Sequence, residues 1–149
     1  MKKFRFSLAR MLNFQQQNFN KEQNLMSQLI EERTEYEKQK EELQKQMEQL
    51  HIQMDQEMKR GTTVFQIRTY TSLLENGKHQ IEILKDKIKR MELEVERQRQ
   101  VVMEASREVT KLEKLRDKKL EEYHYAQAKA EEEMVSEFVS SQFVRQSVF

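Results

Sequence analysis

The sequence lacks cysteine, proline and tryptophan altogether, and it contains only two glycines in 149 residues. Without cysteine there is no disulfide framework and no zinc–thiolate site. A chain without proline and almost without glycine cannot form the many tight turns of a β-sandwich, a barrel or a doubly wound sheet. These absences leave a long-helix protein or a disordered chain.

Long apolar runs and a strong net charge are missing as well. No run approaches the ~18 consecutive apolar residues that a membrane-spanning helix needs. The start, MKKFRFSLARMLNF, has arginines within its apolar stretch and no small-residue cleavage site after it, so we do not expect a signal peptide. Lys and Arg number 27 against 26 Asp and Glu, and this balance argues against a dedicated nucleic-acid-binding protein.

Apolar residues recur with a heptad period over the first part of the chain. Read from Leu8 in alternating steps of four and three, ten of the fifteen positions up to residue 57 are apolar. This period predicts a helix that supercoils left-handedly with a partner helix. Arg33 and Lys40 interrupt the stripe, but their long stems can cover a seam while the charged heads reach water.

A turn signal follows this first stripe. Lys59 and Arg60 are cations placed where they favour the negative end of a helix dipole. Gly61 can adopt the left-handed conformation that commonly ends a helix. Thr63 and Gln66 have the spacing of a capping box, which predicts the start of a new helix.

A second stripe between residues 67 and 112 is more regular, since twelve of its fourteen positions are apolar. Two heptad helices joined by a short turn should form an all-α, antiparallel coiled-coil hairpin, in which helix 2 is longer than helix 1. We expect one hairpin over residues 1–149, in which paired positions have numbers that add to roughly 123. Its predicted parts are helix 1 at about 4–59, a turn at 60–63 and helix 2 at about 64–143.

The last part of helix 2, at about 123–149, has no partner in helix 1 under this register, and we call it the overhang. Because an isolated helix of ~20 residues is marginal in water, we expect residues 123–143 to be only weakly helical in the free protein. The main seam should be satisfied within one chain, which predicts a monomer.

No residue pattern indicates catalysis or metal binding. The three histidines, His51, His79 and His124, do not form a His-x3-His or His-Glu-x-x-His pattern, so solvated helix faces explain them better than a metal site. There is no Gly-rich phosphate loop, and a two-helix protein has no cavity that excludes water. We therefore expect no enzyme activity, no metal and no cofactor.

Charge and surplus apolar residues concentrate at the chain ends. Residues 1–19 hold four cations and no acid, and residues 111–119 hold five cations against two acids. The antiparallel register should bring these segments together as a basic band, whereas residues 120–149 are acidic.

The tail carries apolar residues without an intrachain partner, which indicates a protein or membrane contact: Val135, Phe138, Val139, Phe143, Val144, Val148 and Phe149. Solvated faces, self-association of the tail and a membrane-surface helix over residues 2–14 remain alternatives.

The two ends of the chain also carry a family resemblance. The start KKFRFSLARMLNFQQQNFNKEQNLM and the end KLEKLRDKKLEEYHYAQAKAEEEMVSEFVSSQFVR resemble the flagellar export protein FliJ family. The resemblance covers essentially the full length and includes the turn near residue 61, the Tyr70 that follows it, and Phe143-Val144-Arg145 after the Glu-rich segment. That family is similar to the coiled-coil γ subunit, the central stalk of rotary ATP synthases.

This resemblance implies a non-enzymatic stalk of the flagellar type III export apparatus. Such a stalk would insert into the hexameric ring of the export ATPase, stimulate it, and link it to the transmembrane export gate and to export chaperones. It would be cytoplasmic and peripheral to the cell membrane at the flagellar base. The equivalent stalk of a virulence injectisome and a purely structural, self-associating coiled coil are the alternatives.

Two sets of contact residues follow from the charge map and the resemblance together. The basic band and the overhang supply candidate contacts with the ATPase ring: Phe4, Arg5, Phe6, Arg10, Lys114, Lys118, Tyr123, Met134 and Phe138. The family's Gln-Leu pattern supplies Gln39 and Leu43 as candidate contacts with the export gate, and Tyr70 and Leu73 of helix 2 complete this set. Leu43 also lies on the seam, where core packing is its alternative role.

Overall fold

The computed structural model describes residues 2–147, which form two long α-helices. Helix α1 spans Ala9–Arg60 and helix α2 spans Val64–Ser147. The two helices pack against each other as a hairpin, and the described part of the chain contains no strand. The all-α hairpin with a longer second helix that the sequence predicts is therefore confirmed.

The turn between the helices forms as the sequence predicts. Gly61 has a positive φ of 88°, a conformation that glycine adopts without the penalty a side chain would impose. Thr63 caps α2, because its Oγ1 accepts a hydrogen bond from the backbone N–H of Gln66 at 3.3 Å. Its carbonyl oxygen accepts the first helical hydrogen bond, from the N–H of Ile67 at 3.2 Å. The Gln66 side chain accepts a hydrogen bond from the Thr62 hydroxyl.

The heptad seam is buried along its whole predicted length. All fifteen positions of the first stripe and all fourteen of the second are buried or half-buried, including the polar ones. All the most deeply buried side chains except Leu12 belong to α2, between residues 88 and 112. The buried residues are Leu12, Gly77, Ile88, Met91, Val95, Gln98, Ala105, Val109 and Leu112.

Cross-helix packing falls into two compact units, the first of which comprises residues 21–103 and includes the turn. In this unit the Lys87 ammonium lies 5.6 Å from the centre of the Tyr36 ring. The Gln98 amide donates hydrogen bonds to the Glu22 carbonyl at 2.9 Å and to its carboxylate at 2.5 Å. These pairings follow the antiparallel register that the sequence predicts.

The second unit comprises residues 2–20 together with residues 104–147. Its core is a cluster of Leu12, Val109 and Leu112, against which three half-buried side chains pack: Phe6, Leu8 and Phe19. The antiparallel register therefore holds in this unit too.

Helix α1 begins later than the sequence predicts, at Ala9 rather than near residue 4. A helix over residues 4–8 would turn Phe6 about 200° away from Phe4 and Leu8. The non-helical backbone instead allows Phe6 and Leu8 to pack on one cluster. For the same reason the membrane-surface helix considered for residues 2–14 is absent over residues 2–8.

The uncovered part of α2 also begins later than the sequence predicts. Tyr123 is half-buried against the N-terminal segment, and the half-buried positions continue to Ala130. Every residue from 131 to 147 is exposed, so the overhang starts near 131 rather than near 123. The helix continues past the predicted end at 143 to Ser147, and Val148 and Phe149 lie outside the described residues. Weak helicity of this segment in the free protein stays a prediction.

Candidate functional site

Four cations of the predicted basic band are exposed side chains of the second unit. Arg5, Arg10, Lys114 and Lys118 all lie at the surface, and none of them forms an ion pair within residues 2–147. Neighbouring cations on α2 pair locally with acids on their own helix: Lys111 with Glu108, Arg116 with Asp117, and Lys119 with Glu122. The unpaired cations therefore carry the net positive charge that a partner would meet.

The aromatic candidates in the same unit have intrachain partners. The Phe4 and Tyr123 rings lie 5.6 Å apart at 52°, and the Tyr123 hydroxyl donates a hydrogen bond to the Lys2 carbonyl at 2.6 Å. The His124 ring meets Tyr123 edge-on at 5.7 Å, while Phe6 packs on the Leu12 cluster. These contacts fix the basic N-terminal segment against α2, so Phe4, Phe6 and Tyr123 position that segment.

The two apolar candidates on the overhang, Met134 and Phe138, have exposed side chains. Met134 is 70 % exposed and Phe138 is 63 % exposed. Residues four apart lie on the same side of a helix, so these two side chains form one patch, which Val135 and Val139 extend. Phe143 and Val144 continue the exposed apolar surface toward the end of the described helix. This uncovered surface on residues 131–147, the tail patch, is the most exposed apolar feature of the second unit.

The four candidates for the export-gate contact do not come together. Gln39 and Leu43 line a shallow depression of about 320 Å³ with Gln80 and Leu84 of α2, residues that sequence reasoning missed. Tyr70 and Leu73 lie outside this depression. The antiparallel register could have identified Gln80 and Leu84, because their numbers pair with those of Gln39 and Leu43.

Tyr70 has a separate local role near the turn. Hydrogen bonding to the Glu57 carboxylate, partial desolvation and the negative charge of Glu57 raise the pKa of Tyr70 above the ordinary value. Both residues occupy seam positions, so this pair closes the seam at its turn end. Leu73 is half exposed and lies off the seam.

A larger groove lies between the helices of the first unit. It has a volume of about 480 Å³ and is lined mainly by apolar side chains around the point where Gly77 faces Met47. Its lining residues are Met47, His51, Met54, Thr71, Leu74, Glu75, Lys78 and Ile81. The groove lies beside Gly77, where the missing side chain leaves the space that Met47 fills. No motif in the sequence assigns the groove a ligand.

The described residues define a class of protein: a two-helix coiled-coil hairpin with exposed apolar and basic side chains. Between residues 2 and 147, no group of three or more His, Asp or Glu side chains is placed to hold a metal ion. In the same range, neither helix has an apolar stretch sufficient to cross a bilayer.

The chain matches the family described as flagellar FliJ protein over residues 4–147, and it belongs to that family. The match spans nearly the whole chain and confirms the family resemblance of its two ends. The protein is therefore a stalk-type, structural or coupling component of flagellar protein export that associates with the export apparatus. No curated protein and no solved structure matches the chain.

Proposed function

We propose that this protein is the non-enzymatic stalk that inserts into the ring of the flagellar export ATPase and stimulates it. The observation that carries the proposal is the tail patch, an apolar surface on a helical segment that no residue between 2 and 147 covers. Exposed apolar surface at this density is typical of a protein contact site. A hexameric ring offers an inner sleeve in which such a helix could be surrounded.

The basic band supports a second part of the same contact. Arg5, Arg10, Lys114 and Lys118 are exposed and unpaired among the described residues, so an acidic surface on the ring would attract them. Charged side chains at the rim of an interface mainly accelerate and orient association. The tail patch would supply the affinity, and the basic band would set the orientation of the stalk.

The link to the export gate is proposed for the first unit. Gln39 and Leu43, with Gln80 and Leu84, form one depression that a gate segment could occupy. Tyr70 and Leu73 would have to make a separate contact, because they lie outside this depression. Binding of export chaperones and a position at the membrane face of the flagellar base complete the proposal, and both come from the family.

The test compares tail-patch variants in binding and ATPase assays with the purified export ATPase. We expect Met134→Ser with Phe138→Ser to weaken association at least tenfold and to remove stimulation, because burying each side chain is worth ~1.5–3 kcal/mol. Leu93→Ser with Val101→Ser is the matched control, since both residues are exposed on α2 within the first unit. The control should bind and stimulate like the unaltered protein.

Two results would contradict the proposal. Unchanged binding and stimulation by the Met134 and Phe138 variant would remove the tail patch from the contact. Sedimentation that shows a dimer of the unaltered chain and a monomer of the variant would instead favour the self-associating coiled coil.

A further inference from the structure

The turn end of the hairpin carries an exposed apolar surface that the export function does not use. Phe65 is 79 % exposed, the highest value among the large apolar side chains that the structure describes, and Val64 beside it is 67 % exposed. Met58, in the last turn of α1, is 49 % exposed. We call Met58, Val64 and Phe65 together the tip.

Positive charge predominates around the tip, because the adjacent acid, Glu57, is half-buried at a seam position beside Tyr70. Residues 58–74 contain three cations, Lys59, Arg60 and Arg68, and not one aspartate or glutamate. All three cations are exposed, and none forms an ion pair in the part of the chain that the structure describes. The tip is therefore a small apolar surface bordered by positive charge. A complementary binding surface would have an apolar interior and negatively charged groups on its exterior.

The tip is held in a fixed form. Gly61 turns the chain with a positive φ, and Thr63 caps the first turn of α2. A second hydrogen bond joins the Thr62 hydroxyl to the Gln66 side chain. Val64 and Phe65 are thus exposed on an ordered helix start, so little conformational entropy is lost when they enter another phase.

We propose that the tip binds the surface of an anionic lipid bilayer, with Val64 and Phe65 entering the acyl boundary and the three cations meeting the headgroups. The size of the tip favours a bilayer over a folded protein. A stable protein interface buries ~800 Å² on each partner, whereas an aromatic side chain buries only ~150–250 Å². Reversible bilayer binding needs less, because a few apolar groups and a few basic residues act together.

Two copies of the tip would not pair with each other, since each carries three unpaired positive charges. The acidic, apolar tail of a second copy is the competing occupant. That arrangement would join copies head to tail without lipid and is separated from the proposal by the experiment.

The experiment exploits the absence of tryptophan from the chain. Phe65→Trp in the full-length protein provides a single fluorescent reporter at a position where no packing is disturbed, because Phe65 is exposed. Leu93→Trp is the matched control: Leu93 is 62 % exposed on the same helix and stands between Glu92 and Glu94. Each variant is mixed with vesicles of phosphatidylcholine, with and without phosphatidylserine.

We expect the emission of the Phe65→Trp variant to shift to the blue and to be quenched by lipid-borne quenchers only with phosphatidylserine vesicles. The Leu93→Trp variant should not respond. Replacing Lys59, Arg60 and Arg68 by Gln should weaken binding about fivefold for each cation at low salt. Val64→Ser with Phe65→Ser should reduce co-sedimentation at least tenfold while leaving the circular dichroism unchanged.

Three outcomes would overturn the proposal. The first is no co-sedimentation of the unaltered chain with phosphatidylserine vesicles. The second is co-sedimentation without any change in the Phe65→Trp emission, which would place the lipid contact elsewhere, for example in residues 2–14. The third is an emission shift that depends on protein concentration without lipid, which would identify a second copy or another protein as the occupant.

Discussion

Gly77 lies on the seam of α2, where a helix-interior glycine costs ~1 kcal/mol relative to alanine. The structure gives the reason for its presence, because a methyl group at this position would overlap the Met47 sulfur and crowd the rest of that side chain. The two helices can therefore approach closely here. The sequence showed the glycine as a gap in the stripe but could not show which side chain fills the space.

A double-mutant cycle tests this explanation. We expect Gly77→Ala to leave the stability nearly unchanged, because the gain of ~1 kcal/mol in helix propensity is offset by displacement of the flexible end of Met47. In a Met47→Ala background the same change should stabilise the protein by about 1 kcal/mol, because the space is then empty. Urea unfolding followed by circular dichroism measures both values. The same effect of Gly77→Ala in both backgrounds would refute close packing by Met47.

Gln98, which is buried, and Glu22, which is half-buried, form a polar pair that the sequence did not reveal. Both are polar residues at seam positions that are mostly apolar, and each taken alone looks like an interruption of the heptad pattern. Their numbers nevertheless fall opposite each other in the antiparallel register, and the Gln98 amide indeed bonds to Glu22. A polar pair of this kind within the seam disfavours shifted registers, because slippage would leave the buried amide without a partner.

At the scale of elements, the long helices and the turn could be predicted because their signals are local and repeated. The heptad period placed every seam position correctly, and Gly61 with Thr63 placed the turn. The ends of the helices could not be placed in the same way. Phe4 and Leu8 fit a helical stripe and only Phe6 does not, so the sequence favours a helix here. The tertiary contacts of this segment decide that residues 2–8 leave the helix.

Truncation of α2 tests where its covered part ends. Ending the chain after Ala130 removes residues 131–147, all of which are exposed, together with the last two residues. The free energy of unfolding should therefore not change. Ending it after Glu122 also removes Tyr123, with its ring contact to Phe4 and its hydrogen bond to Lys2. We expect this second truncation to cost about 1 kcal/mol. Urea unfolding compares the two, and equal stability of both truncated chains would show that Tyr123 contributes nothing to the fold.

At the scale of the whole molecule, the family match and the uncovered surfaces describe a protein that acts by contact. The sequence indicated an apolar tail and a basic band, and the structure shows both as exposed surfaces of one unit. Which partner meets each surface depends on the partner's own shape and charge, which this chain does not encode. The tail patch carries the central claim, that a helix without an intrachain partner enters the export ATPase ring.

Amide hydrogen exchange on the full chain, with and without the export ATPase, tests this claim most directly. In the free protein, residues 131–147 should exchange quickly because no packing protects their helix, while residues 81–109 on the buried seam should exchange slowly. Adding the ATPase should slow exchange in residues 131–147 and leave residues 81–109 unchanged. Strong protection of residues 131–147 in the free chain, or no change on adding the ATPase, would contradict the account.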